Sequence, residues 1–172
     1  QQNGQIQYKE IPFNYSRLNS ILSLGKDTIG IGTSNGIILF FAQNNQFRNV
    51  EMHFNVMRIF EDSHNELWLF SKEQRGIVRY DPLTNEQQHY ETPTQNMPKA
   101  ELRSRDVIFE DNQGTLWVVP HLGCLSYYDR EDKELKPYYT DYSKPESKFT
   151  PVILNFYVDN QKNFWYANNF WM

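Results

Sequence analysis

The sequence predicts an all-β chain: a β-propeller fragment of about three and a half four-stranded antiparallel blades. Three observations carry this. A motif ending in Trp recurs in register, the chain is rich in aromatic residues, and turn-forming residues punctuate it at strand-length intervals.

The repeat comes first because it sets the fold. VMRIFEDSHNELW at 56–68 is answered by RDVIFEDNQGTLW at 105–117 and LNFYVDNQKNFW at 154–165. Trp68, Trp117 and Trp165 are thereby offset by 49 and then 48 residues, and so are Asp62, Asp111 and Asp159. Downstream, GIVRYD at 76–81 matches GCLSYYD at 123–129. A degenerate earlier copy runs ILSLGKDTIGIGT at 21–33 and GIILFF at 36–41, with Gly30 where the others carry Trp. Coincidental similarity within a β-sandwich is the rival reading, and the matched Asp-to-Trp spacing argues against it.

Each copy holds four strand-length pieces, in the second copy about 56–61, 66–70, 76–80 and 87–91. Asp62-Ser-His-Asn65, Asp111-Asn-Gln-Gly114 and Asp81-Pro-Leu-Thr-Asn85 separate them. Asp and Asn close such turns through side-chain bonds to backbone, and Gly supplies positive φ. Four short antiparallel strands per repeat make a propeller blade. One blade cannot bury both faces, so blades stack, and the repeated Trp is expected to be buried between them. The expected layout is a single partial propeller over 1–172: the outer strand of a preceding blade in 1–13 (at 6–11), blades at 18–51, 56–91 and 105–140, and a half blade at 152–172.

Composition agrees. The 12 Phe, 11 Tyr and 4 Trp suit a pleated, half-buried surface. The net charge is −4, and basic residues are dispersed, with Lys99, Arg103 and Arg105 the nearest to a cluster. Nucleic acid, which needs clustered Lys and Arg, is therefore not an expected partner. The lone Cys124 sits in an apolar stretch and reads as a small buried hydrophobe. No apolar run is long enough to span a bilayer and no signal peptide opens the sequence. The chain reads as an excised or mature piece of something larger.

The residues resemble the two-component regulator propeller repeat. The resemblance rests on Ile59-Phe-Glu-Asp62, Leu67-Trp68 and Gly76-Ile-Val-Arg-Tyr-Asp-Pro82, on FEDNQGTLW at 109–117, and on Gly32-Thr33 with Gly36 in the first copy. It covers about 18–171 and departs from the pattern at Phe70-Ser71 and Val119-Pro120, where Gly-Thr is usual. The resemblance implies the periplasmic sensor region of a hybrid two-component histidine kinase. It implies control of polysaccharide-utilisation genes, an oligosaccharide ligand, and further blades and signalling domains elsewhere in the parent protein.

No catalytic residue, metal site or cofactor is expected. Glu61-Asp62, Glu110-Asp111 and Asp159 recur once per blade, which suits turn structure better than a paired-carboxylate or calcium site. Gly30-Ile-Gly-Thr-Ser-Asn-Gly36 has its third glycine one position late for a dinucleotide loop and no helix after it. His53, His64, His89 and His121 lack metal-ligand spacing.

Topology suggests where a ligand would sit. Turns between second and third strands share a face with the blade-to-blade connectors, and two connectors, 92–104 and 141–150, are long. Such loops carry function or are disordered. Arg75, His121, Asn168, Asn169 and Trp171 on that face offer stacking and hydrogen bonding to a sugar, the alternative being that they pad the interblade seam. Three functions stay open: a glycan-sensing ectodomain, a passive scaffold or dimerisation propeller, and a propeller enzyme such as a lyase. The last half blade would leave strand edges and apolar surface unpaired, so self-association of an open arc is expected over closure into a four-bladed ring.

Overall fold

A computed structural model of the chain describes residues 8–25, 27–71, 76–91, 107–119, 125–138, 153–161 and 163–168. Among them are fourteen strands and no helix. β1 (Leu18–Leu24), β2 (Thr28–Thr33), β3 (Gly36–Phe41) and β4 (Gln46–Glu51) form the first sheet. β5 (Val56–Glu61), β6 (Leu67–Ser71), β7 (Ile77–Tyr80) and β8 (Gln87–Tyr90) form the second. β9 (Val107–Glu110), β10 (Leu116–Val119), β11 (Ser126–Asp129) and β12 (Glu134–Pro137) form the third. β13 (Ile153–Val158) pairs with β14 (Phe164–Asn168) in a two-stranded fourth. Every pairing is antiparallel, and strands neighbour one another in chain order. Three up-and-down four-stranded sheets and a two-stranded one, stacked face to face, are a β-propeller fragment.

The stacking follows from the strand period of two. In β6, Leu67 and Leu69 join Leu24, Ile37, Leu39 and Val56 in the core between the first and second sheets. The intervening Trp68 and Phe70 point the other way, into a core with Leu116, Val118 and Tyr128 of the third sheet. β10 repeats the division: Leu116 and Val118 face back, and Trp117 faces forward onto Val158 and Phe164 of the fourth sheet. Strands buried on both faces read as continuous apolar runs, which is why LWLF and LWVV show no alternation. The Trp117 and Phe164 rings meet edge to face, with centroids 5.1 Å apart.

The repeated Asp builds the turn between the first two strands. Asp62 Oδ1 accepts from the backbone N–H groups of His64 (2.9 Å) and Glu66 (3.0 Å). Asp111 does so from Gln113 and Thr115, and Asp159 from Gln161 and Asn163. Asn65 (φ 61°) and Gly114 (φ 80°) close the first two of these turns in the left-handed region, which explains Asn and Gly at matching positions.

Three expectations differ from the structure. Residues 8–11 are not a strand, and 6–7 lie outside the described residues. Asn168 is the last residue of β14, paired with Ile153, and not part of the following turn. Trp68 and Trp117 are buried at 0% and 7% exposure, but Trp165 is 61% exposed. Trp68 packs against the third sheet and Trp117 against the fourth, whereas Trp165 belongs to none of the buried cores.

Candidate functional site

The up-and-down strands give the arc two rims. One carries the hairpin turns after β1, β5, β9 and β13 together with those after β3, β7 and β11. The other carries, among the described residues, the turn after β2 and the connector 52–55.

The first rim is sealed by bonds between blades. The Glu-Asp dipeptides divide their labour here. Asp62 turns into its own blade, where its Oδ2 accepts the indole N–H of Trp68 at 2.9 Å. Glu61 reaches back, and its Oε2 accepts the N–H of Gly25 at 2.9 Å. Glu110 likewise takes the N–H (2.6 Å) and hydroxyl (2.7 Å) of Ser63. At the third seam Val158 stands in the glutamate's place, and Asn112 donates to Asn160 instead.

Arg130, from the turn after β11, locks the second and third sheets. Its guanidinium lies 2.9 Å from Asp62 Oδ2, 3.1 Å from Glu66 Oε2 and 3.5 Å from Glu110 Oε1. Glu66 also accepts from Arg79. Burial opposes the charge of Asp62, yet the bonds from Trp68, Arg130 and two backbone N–H groups outweigh it and hold its carboxyl below the ordinary aspartate value. Beneath them Tyr90 and Tyr128 share a 3.0 Å hydroxyl bond, and burial and then that bond push the Tyr128 phenol up. Each of these carboxylates already holds a cation or N–H donors, so the rim acts as a structural clasp between blades, not as an acid–base pair.

The second rim is described at the first sheet and its junction with the second. The turn after β2 and the connector 52–55 enclose a shallow depression of about 360 Å³ lined by Ser34, Asn35, Glu51, Met52, His53 and Phe54. Met52 and Phe54 are buried and form its floor, while Asn35, Glu51 and His53 stand exposed at its edge. Its walls are braced. Thr33 Oγ1 accepts from the Asn35 N–H and donates to the Gly36 carbonyl, both at 3.1 Å. The Met52 N–H bonds the Asn35 carbonyl at 2.8 Å, and the Ser16 hydroxyl bonds Ser34 at 2.9 Å. Asn19 pins the connector through the Asn55 side chain (2.6 Å) and the Val56 carbonyl (2.9 Å).

Of the residues expected to bind ligand, Arg75, His121, Asn169 and Trp171 lie outside the described residues, as does Cys124. Asn168 is in β14. Connector length in the sequence does not point to Asn35, Glu51 and His53, because this connector is short. The signal was the alternation of Met52, His53 and Phe54 after a strand end, which sinks two apolar residues and lifts the histidine. His53, His64 and His89 sit on three separate elements: the connector, a turn of the opposite rim, and β8. Among the described residues, no group of three or more His, Cys, Asp or Glu is placed to hold a metal.

No protein-family model and no curated protein matches the sequence. Solved structures do. The extracellular domain of BT4673 from B. thetaiotaomicron, ascribed to a hybrid two-component system, superimposes with a TM-score of 0.57 at 19% identity. The match covers 92% of this chain and 21% of that one. The corresponding domain of BT3049 gives 0.58 at 20% identity, covering 98% and 23%. Virginiamycin B lyase from Staphylococcus aureus gives 0.63 at 16% identity, covering 88% and 49%. The chain thus spans about a fifth of the two extracellular domains and about half of the lyase, and what it shares with them is the fold.

Proposed function

We propose that this chain is part of the periplasmic sensor region of a hybrid two-component histidine kinase. In this reading it binds a glycan-derived ligand, or relays its binding, to control polysaccharide-utilisation genes. The single observation that carries it is the contrast between the rims. One is sealed by cross-blade bonds, and the other presents a braced depression with an amide, a carboxylate and an imidazole around an apolar floor. Ligand sites are concave and mostly preformed, and the exposed lining here is more polar than apolar, which suits the hydroxyls of a sugar. The volume is at the small end of that range, enough for a sugar unit or two with the rest of the ligand running along the rim. The repeat resemblance and the likeness to two extracellular sensor domains support the assignment. The lyase likeness favours a second reading, a propeller enzyme acting from the same rim.

Calorimetry of the full ectodomain against a panel of oligosaccharides tests it. Binding that weakens at least tenfold in Asn35→Ala or His53→Ala, with an unchanged melting temperature, is the expected result. Binding lost only in Arg75→Ala or His121→Ala moves the site to the neighbouring blades. No binding to any glycan, or turnover of virginiamycin B, overturns the sensor reading.

A further inference from the structure

We infer, resting on the glycan-binding reading of the depression at Asn35, Glu51 and His53, that it holds a sugar through the sugar's own donor groups and sorts sugars by charge. Amino sugars bind it best, neutral sugars next, and uronic acids and sulfated sugars worst.

The backbone builds the site before any ligand arrives. β3 opens at Gly36, which pairs with Glu51, the last residue of β4. A Cβ on Gly36 would lie 2.2 Å from the Val50 carbonyl oxygen and 2.8 Å from the Met52 nitrogen. The end of β4 is therefore pressed against the turn after β2, and the 2.8 Å bond from the Met52 N–H to the Asn35 carbonyl ties them together. Asn35, Glu51 and His53 are fixed around one hollow, which spares a ligand part of the ordering cost of binding.

The side chains held there are uncommitted. On the opposite rim Glu61, Asp62, Glu66 and Glu110 each accept from an N–H or a guanidinium. Asn35 engages only its backbone groups, with Thr33 and Met52. Among the described residues, the side chains of Asn35, Glu51 and His53 make no hydrogen bond or ion pair. Glu51 is the one acidic residue of the lining, and none of the six is Lys or Arg. Arg17 touches it through its carbonyl, which accepts the Ser34 N–H at 3.0 Å, and does not line it.

A carboxylate without a cation can accept from sugar hydroxyls. It accepts more strongly from an ammonium, because that bond is charge-assisted. It repels a second carboxylate or a sulfate, and no lining cation offsets the repulsion. Asn35 supplies an amide that suits any of the three sugars, so the order among them falls to Glu51.

Calorimetry of the full ectodomain against matched amino, neutral and uronic acid oligosaccharides of the gluco, galacto and manno series tests this. In the series that binds, the amino sugar is expected to bind about tenfold tighter than the neutral one, and the uronic acid about tenfold weaker or less. Glu51→Gln, at an exposed position and with an acceptor oxygen retained, should keep neutral-sugar binding and bring the three within about threefold of one another. Glu51→Lys should invert the order. A uronic acid bound as tightly as its neutral partner overturns the inference and leaves glycan sensing standing, as does an order unchanged in Glu51→Gln. Uronic acid binding that is lost in Arg75→Ala does the same, by placing the selectivity outside the depression. No binding to any sugar of the panel fails the glycan reading itself, and this inference with it.

Discussion

The indole nitrogen of Trp68 donates to Asp62 Oδ2 at 2.9 Å, and neither side chain reaches solvent. The same bond joins Trp117 to Asp111 and Trp165 to Asp159. One carboxylate thus does two jobs: Oδ1 closes the hairpin turn and Oδ2 orients the Trp that fills the next seam. In the first sheet both partners change together. Leu24 stands at the Asp position and Gly30 at the Trp position, and a Cβ on Gly30 would come within 2.8 Å of Leu24 Cδ1. Losing the indole alone would leave a buried acceptor unpaired; replacing both members by apolar packing avoids that cost.

Substituting the aspartates should rank by burial. Asp62→Ala strands the Trp68 N–H and two turn N–H groups while Arg130 keeps Glu66 and Glu110, and is expected to cost about 1–3 kcal/mol for each buried donor left unpaired. Asp111→Ala should cost less, and Asp159→Ala, on the open fourth sheet, least. Urea denaturation of the three variants measures the order, and equal losses would contradict it.

The tryptophans should follow the same gradient. Trp68→Ala is expected to lose about 3–5 kcal/mol through cavity formation. Trp165→Ala should cost far less, because the ring is already largely in water. Thermal melts of the two variants make the comparison.

Two motif glycines are fixed by backbone, not by turn propensity alone. Gly36 (φ 132°) and Gly76 (φ 108°) would place a Cβ 2.2 Å from the Val50 carbonyl oxygen and 2.0 Å from that of Tyr90. Neither neighbour is a movable side chain, so Gly→Ala at either site should cost more than about 2 kcal/mol, strain and clash combined. Gly25→Ala meets nothing within 4 Å and carries only its φ of 56°. A smaller loss there in chemical denaturation is the expected contrast.

Acid should loosen the clasped rim. The carboxyls of Asp62, Asp81 and Asp129 are held below their ordinary value, and the Trp165 and Asn163 bonds bring Asp159 down to about 2. Groups depressed in the folded state contribute stability that is complete above their unfolded value, about pH 4, and lost as pH falls through the folded one. The urea midpoint should therefore stay level near neutrality and drop between about pH 4 and pH 2. Asp62→Asn should flatten part of that fall, and an unchanged profile would refute the role given to this carboxylate.

By itself, the sequence determined the local and periodic features. The Asp-to-Trp spacing, the turn residues and the doubly apolar β6 and β10 specify strands, hairpins and stacking, because each depends on neighbours a few residues apart. The tertiary structure alone decided which blade each long side chain serves. In Glu61-Asp62, adjacent carboxylates point to different blades, and Arg130 reaches Asp62 from 68 positions away. It also decided that Trp165 lies bare while its two counterparts are buried, since a side chain's solvent exposure is set by what stacks on its sheet. The depression at Asn35, Glu51 and His53 comes from strand pairing: β3 and β4 set the Asn35 turn beside the connector 52–55, and the Met52 N–H bonds the Asn35 carbonyl.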